Sequence, residues 1–217
     1  MKVAHISYKD DQEGAAIAVS RLCQALVDDG IDSKILVQKK VSDKSYTFPI
    51  AVDKIGKLFS VLRVGTDLLI NSFFSNKGEV YYTLPFIGTD ITKHPIILEA
   101  DIIHIHWINR GFLNLKSFQK IINLNKPVVF TLHDSWAFTG GCHMTYDCEK
   151  YQNACFKCPI ASKVDFSSFF QKKKKYIFKN KLVSFTAPSE WMSQKAKSSN
   201  ILENKNIVTI ANCIDTK

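Results

Sequence analysis

Apolar residues recur along this chain in two alternating rhythms. Short runs rich in β-branched and other apolar residues, Val3–Ser7, Lys34–Gln38, Asp101–Ile108, Pro127–His133, Val183–Ala187 and Ile207–Ile210, read as strands covered on both faces. Between them lie stretches whose apolar positions fall three and four apart. Across Ala15–Asp29, residues Ala15, Ala16, Val19, Leu22, Cys23, Leu26 and Val27 share one helical face, and Gly30 supplies a stop. Leu115–Leu124 predicts a further helix, and another opens at Ser189. Strands buried on both faces and alternating with helices predict an α/β fold built on a doubly wound parallel sheet.

Residues 40–95 break this alternation and read as a variable helical insertion. Within them Asp53–Phe74 sets Ile55, Leu58, Phe59, Leu62, Leu69 and Phe73 on one helical stripe, widened by Val61, Val64, Leu68 and Ile70. One reading is a helix packed on the sheet. The other is a surface for a membrane or an apolar acceptor tail, with Lys54, Lys57 and Arg63 at its edge.

Composition narrows the class. A hydrophobic share of 46% excludes a disordered chain, and nine Gly with six Pro exclude a collagen-like one. The 217 residues suit one domain with a substantial core. Glu99, Asp101, Asn71 and Ser72 interrupt the apolar stretches well short of the ~18–20 residues a membrane span needs. The N-terminus runs straight into a strand without the apolar core of a secretory leader, so a cytoplasmic location is expected. In that reducing setting cysteines serve as metal ligands or buried thiols more readily than as disulfides.

The net charge of +9 is lopsided. Residues 1–148 carry 16 basic and 15 acidic side chains, whereas residues 149–217 carry 13 and 5, including the run Lys172–Lys175. Such a segment suits phosphates, nucleic acid or an acidic membrane face, against the plainer reading of a solvated lysine-rich helix face.

In an open parallel sheet, ligands bind beyond the carboxyl ends of the strands. After the first predicted strand, Gly14, Ala15 and Ala16 begin a helix whose free N–H groups can meet an anion or a hydroxyl-rich ligand, although the Gly-x-Gly-x-x-Gly fingerprint is absent. At the third, His104 and His106 alternate onto one face and read as core or wall histidines, followed by Trp107. At the fourth come His133 and Asp134, where an imidazole can accept or donate a proton near neutrality. Downstream, Cys142, Cys148, Cys155 and Cys158 fall in the spacing C-x5-C-x6-C-x2-C, within residues 140–160. Four thiolates so spaced can meet a tetrahedral zinc ion of structural character, with His143 able to replace one of them. Disulfides, free thiols and a redox or iron–sulfur role stand as alternatives. Cys23 and Cys213 read as inert.

Several segments then match, in order, the N-terminal half of a GT-B glycosyltransferase of the retaining family 4. They are the strand leading to Gly-Ala-Ala, Asp-Ile-Ile-His-Ile-His-Trp, Pro-Val-Val-Phe-Thr-Leu-His-Asp-Ser-Trp, Ala-Pro-Ser-Glu-Trp and Ile-Ala-Asn-Cys-Ile-Asp-Thr. The cysteine-bearing run resembles a subgroup acting on bacterial surface polysaccharides. The last segment resembles the Pro-Asn-Gly-Ile-Asp linker, with Ala211 in place of Pro and Cys213 in place of Gly.

The resemblance implies a Rossmann-like acceptor-binding domain over residues 1–210, the start of an interdomain linker over 211–217, and a nucleotide-sugar domain outside this chain. It implies sugar transfer from a nucleotide-sugar co-substrate to a glycan or lipid-linked acceptor in polysaccharide biosynthesis, without a catalytic metal; a peripheral place on the inner face of a membrane is expected from the Asp53–Phe74 stripe and the lysine-rich half instead. It places His133 and Asp134 at the transferred sugar, and Gly14, Ala15, Ala16, His106, Trp107, Ser189 and Glu190 around donor and acceptor. The fragment by itself is expected to be inactive. A zinc-containing nucleic-acid-binding module and a non-catalytic sugar- or phosphate-binding protein are the alternative readings, and the lack of a recognition helix counts against nucleic acid.

Overall fold

The computed structural model describes residues 1–76 and 81–214. Its strands are β1 (Lys2–Lys9), β2 (Asp32–Lys39), β3 (Thr47–Pro49), β4 (Ile102–Ile105), β5 (Val128–Thr131), β6 (Val183–Ala187) and β7 (Ile207–Thr209). They pair in parallel in the order β3-β2-β1-β4-β5-β6-β7. The helices are α1 (Gly14–Asp28), α2 (Lys54–Phe74), α3 (Pro95–Glu99), α4 (Leu115–Ile122), α5 (Ser167–Phe178) and α6 (Glu190–Lys197). This is the expected α/β, doubly wound, Rossmann-like architecture.

β1 buries every residue from Val3 to Tyr8, which is why its sequence is apolar without alternation. It lies between β2 and β4, with Val3 opposite both Ser33 and Ile102. From β1 the chain winds to one edge through β2 and β3, then returns to the centre and winds the other way from β4 to β7. The loops leaving β1 and β4 therefore part, and a crevice opens at their carboxyl ends. Under α4 and α5 the core is aromatic. Phe118 and Phe178 meet edge to face at 5.4 Å between ring centroids, and Phe178 meets Phe185 at 5.2 Å.

Most predicted elements stand within a residue or two of their expected bounds, and Val183–Ala187 coincides. Two predicted strands are shorter than expected. Pairing stops at Ile105 and Thr131, and beyond these ends Trp107, His133 and Asp134 reach the crevice. Residues 40–95 are not wholly an insertion. Thr47–Phe48–Pro49 pair with Ile35–Leu36–Val37 as the edge strand, where a proline costs no ladder bond. Tyr82 pairs with Cys142. At the far end, residues 211–214 have no regular structure, and 215–217 of the expected linker lie outside the described residues.

α2 forms where its stripe predicted, with the Asp53 carboxylate accepting from the Gly56 N–H at its start. It is turned the opposite way from a helix packed through its apolar face. Ser60, Asp67 and Asn71 are its buried residues, while Leu58, Phe59, Leu62, Leu69 and Phe73 are each more than half exposed. The inward stripe is a run of hydrogen bonds. Ser60 meets Gln38, Arg63 Nη2 donates to Gln38 Oε1 at 2.6 Å, Arg63 Nε donates to Gly111 O at 2.8 Å, and Asn71 Oδ1 accepts from Leu84 N at 2.6 Å. Gly111 has φ +69, and a Cβ there would meet Arg63 O and Asp67 Cβ at 3.1 Å. Only glycine lets that loop lie so close to α2.

The lysine run is also more than a solvated face. It lies on α5, which the apolar rhythm did not single out. Lys174 is completely buried, and Lys175 pairs with Glu203 at 3.0 Å.

Asn71→Ala leaves the Leu84 N–H buried without an acceptor and should cost about 1–3 kcal/mol in a urea unfolding curve. Leu69→Gln, on the outward stripe of the same helix, should stay within about 0.5 kcal/mol of the parent. The reverse order would mean that α2 packs through its apolar face after all.

Candidate functional site

Three loops meet at the crevice between β1 and β4. After β1 the chain passes Glu13 and enters α1 at Gly14, with no side chain capping the first turn. The N–H groups of that turn are open to a ligand. β4 delivers His106, Trp107 and, one turn later, Arg110. β5 delivers His133 and Asp134. Together with Tyr81 and His143 these loops line an open, shallow cavity of about 300 Å³ bounded by Glu13, Ala15, Trp107, Arg110, His133 and Asp134.

One side of the cavity is aromatic and cationic. The Arg110 guanidinium lies over the rings of Tyr8, Trp107 and Tyr81 at 5.5 to 5.8 Å, its Nε donates to the Tyr81 hydroxyl at 3.1 Å, and its Nη1 stands 3.5 Å from Glu13. Arg110 holds φ +56, a left-handed conformation that non-glycine residues seldom adopt. No motif in the sequence pointed to Arg110, Glu13 or Tyr81. The one local signal is the Asn-Arg-Gly turn just after Trp107.

The other side is a line of histidines running into the sheet. His133 Nε2 meets His106 Nδ1 at 2.9 Å, His106 Nε2 meets His5 Nδ1 at 3.2 Å, and His5 Nε2 meets Ser33 Oγ at 3.1 Å. Burial pushes His133 down to about 4 and His5 to about 3, and lowers His104 and His106 well below the ordinary histidine range. All are therefore neutral at pH 7. A neutral imidazole has one N–H, so each tautomer dictates the next along the line. Either every ring donates inward and His133 shows the cavity a lone pair at Nδ1, or every ring donates outward and Nδ1 carries the proton. Among the described residues His133 Nδ1 has no protein partner.

His5, His104 and His106 bring ring nitrogens within 4.8 Å of one another, which resembles a metal site. His5 and His106 spend both nitrogens on the line just described, and His104 Nε2 meets Thr131 Oγ1 at 2.7 Å. The trio works as a hydrogen-bonded wall.

Asp134 accepts three hydrogen bonds. Trp107 Nε1 lies at 2.8 Å, the Trp136 N–H at 2.9 Å, and His143 Nδ1 at 2.6 Å. Burial works to raise its pKa, but His143 and these donors hold it below the usual carboxylate range. So occupied, Asp134 orients Trp107 and His143. His143 Nε2 meets Thr83 Oγ1 at 2.7 Å, so both of its nitrogens are engaged away from the cysteines and it cannot stand in for one of them as a metal ligand.

The structure thus gathers Ala15, Trp107, His133 and Asp134 of the expected residues. Gly14 and Ala16 flank Ala15 in the first turn of α1. His106 backs His133 rather than facing the cavity. Ser189 and Glu190 do not line it. Ser189 caps α6 beyond β6 by accepting from Met192 N, and Glu190 opens that helix.

Residues 13–217 match the sequence model of Glycosyltransferase Family 4. Over 219 aligned residues the chain is 26% identical to a proposed colanic acid biosynthesis glycosyl transferase, WcaC, of Escherichia coli (strain K12). That match covers 91% of this chain and 51% of the relative, so the chain spans about half the length of the protein it matches.

The buried histidines make stability depend on acidity in a defined direction. Their folded pKa values lie below the unfolded value of 6.5, so the unfolded chain binds protons first and stability falls as pH drops from 6.5 towards 4. Each such histidine contributes a slope of up to about 1.4 kcal/mol per pH unit in that window. The melting midpoint should fall steeply between pH 7 and 5, and less steeply in His104→Gln. A flat profile would contradict the neutral line.

Proposed function

The chain belongs to glycosyltransferase family 4, and from that premise we propose that it forms the acceptor-side domain of a GT-B enzyme of surface-polysaccharide biosynthesis. That enzyme would pass a sugar, with retention, from a nucleotide sugar to a glycan or lipid-linked acceptor. The observation that carries this reading is the crevice at the β1–β4 switch, where a free helix start, an aromatic–arginine wall and a neutral histidine converge.

The residues suggest a division of labour. Trp107 and Tyr81 offer ring faces to a sugar, and their rings stack at 6.2 Å. The N–H groups of Gly14, Ala15 and Ala16, with Arg110, favour the negative charge that grows on a departing diphosphate. His133 presents Nδ1 to a hydroxyl of the transferred sugar, acting through a hydrogen bond since burial keeps it uncharged. In the transfer the acceptor oxygen bonds to the anomeric carbon, the bond from that carbon to the diphosphate breaks, and the acceptor proton leaves with the phosphate. Asp134 is a positioning residue through Trp107 and His143. Ser189 and Glu190, on the neighbouring strand end, are left for the nucleotide part of the donor. A second domain would hold that part and close the crevice. No catalytic metal enters this scheme.

We also place α2 on an anionic membrane. Its outward face carries Ile55, Leu58, Phe59, Leu62, Leu69 and Phe73, bordered by Lys54 and Lys57. A neighbouring groove holds Lys39 and Lys40. Apolar bulk beside a rim in which Lys39, Lys40, Lys54 and Lys57 outnumber Asp43 and Asp53 fits an interfacial helix on an acidic surface, where a lipid-linked acceptor would also reside. No helix among the described residues is long and apolar enough to cross the bilayer. In this reading the enzyme works at the cytoplasmic face.

Two measurements test these readings. In a transfer assay on the longer protein, with a panel of nucleotide sugars and a lipid-diphosphate acceptor, His133→Ala should lower kcat on the order of 10²-fold in a protein still folded at the assay temperature, although it strands His106 Nδ1 and lowers the melting midpoint. An enzyme inert across the panel, or an unaffected variant, would overturn the assignment. Vesicles rich in phosphatidylglycerol should retain the protein at low salt, and Leu58→Asp with Phe59→Asp should release it. Equal retention by neutral phosphatidylcholine vesicles, or by the variant, argues against the membrane face.

A further inference from the structure

Four cysteines from the loop between β5 and α5 line one small, partly open space. Cys142, Cys148, Cys155 and Cys158 line a cavity of about 20 Å³, room for a single water-sized atom. All four are free thiols, and Cys142 and Cys155 are buried. The rest of the wall is largely ring and methyl surface, including Tyr151 and Ile160. Such a space offers a water few hydrogen bonds and a soft cation four ligands.

The surroundings favour sulfur that carries negative charge. The Gly140 N–H donates to Cys155 Sγ at 3.3 Å. The Ala161 N–H donates to the Cys158 carbonyl at 3.2 Å and closes the Cys-x-x-Cys-Pro turn, and the Asp165 carboxylate accepts from the Cys158 N–H at 2.8 Å. Lys174, buried completely, reaches only the carbonyls of Trp136 at 2.5 Å and Thr139 at 3.1 Å and pairs with no carboxylate among the described residues. Cys155, Asp134 and Cys142 are the ionisable groups that act on it. A buried ammonium with no carboxylate in direct contact is costly, and an anionic metal–thiolate centre would add to the more distant charge of Asp134.

We propose that Cys142, Cys148, Cys155 and Cys158 bind one structural zinc ion as a tetrathiolate. Binding releases four thiol protons and leaves a centre of net charge −2, facing Lys174 and Lys150. No three of the sulfurs lie within 4.8 Å of one another, so bonds of about 2.3 Å draw them inward onto the cavity. The ion acts through position. Cys142 precedes His143, which Asp134 holds, and Cys142 pairs with Tyr82 beside the cavity residue Tyr81. Three residues beyond Cys158, Ala161 O accepts from Asn76 Nδ2 at 2.8 Å, and Ser162 N donates to Phe74 O at 3.0 Å. One ion thus fixes both the Asp134–His143 pair at the crevice and the end of α2.

The test is metal analysis of the protein purified under reducing conditions. One zinc per chain is expected, and cobalt(II) substitution should give the charge-transfer and ligand-field bands of a tetrahedral tetrathiolate. A strong chelator should lower the melting midpoint on the order of 10 °C, with recovery on adding zinc. Cys148→Ser should lose the stoichiometric metal and Cys213→Ser should keep it. If Cys148→Ser does not fold, the cobalt spectrum of the parent decides alone. Four freely alkylated thiols in a folded, metal-free protein, a disulfide found by mass, or an iron–sulfur chromophore would each overturn the proposal. None of these readouts depends on transferase activity, so failure here leaves the functional assignment standing.

Discussion

β1 pairs with β4 across a long excursion of chain, and much of the molecule is arranged by that one parallel ladder. Val3, His5 and Ile6 are opposite Ile102, His104 and Ile105. Because β1 also pairs with β2 on its other side, the winding direction reverses there and the two outgoing loops separate. The first turn of α1, Trp107 and Arg110 reach one cavity as a consequence. The same register stacks His5, His104 and His106 on one face of the sheet, with His104 and His106 ring centroids 4.2 Å apart.

A second theme is polar chemistry turned inward. The imidazoles of His5, His104, His106, His133 and His143, one ammonium and the Ser60–Asp67–Asn71 stripe of α2 are wholly or largely removed from water. Each is costly unless hydrogen-bonded, and nearly all of these side chains have a named partner. Such groups specify arrangement more than they add stability. A slip of one residue in β4 would break the line from Ser33 to His133. Rotation of α2 to bury its leucines would strand Asn71, Arg63 and Gln38. Keeping the leucines outside leaves an apolar face that a membrane can cover.

The loop between β5 and α5 ties these parts together. It carries Trp136, under which Lys174 lies at 3.7 Å from the ring centroid, as well as His143 and the four cysteines. A long connection with little regular structure has few backbone bonds to hold it. Side chains and, in our proposal, a metal ion take over that task. The site wall is thereby coupled to a scaffold some residues away from any reacting atom.

Much of this was legible in the amino-acid order. Continuous apolar runs such as Val128–Thr131 cannot be satisfied except by a sheet covered on both faces, and helical spacing in Ala15–Asp29 leaves little choice for α1. The order of motifs marked His133, Ala15 and Trp107 and the cysteine set, because local chemistry at strand ends is written locally. What the order could not supply is which way an element faces and which distant groups meet. The α2 stripe is periodic whether it points in or out, and only its partners Gln38, Gly111 and Leu84 decide. Lys174 sits in a run of four lysines whose members look alike until α5 docks. Arg110 and Tyr81 enter the cavity, and His143 leaves the cysteines for Asp134, because tertiary contacts between residues far apart in sequence place them there.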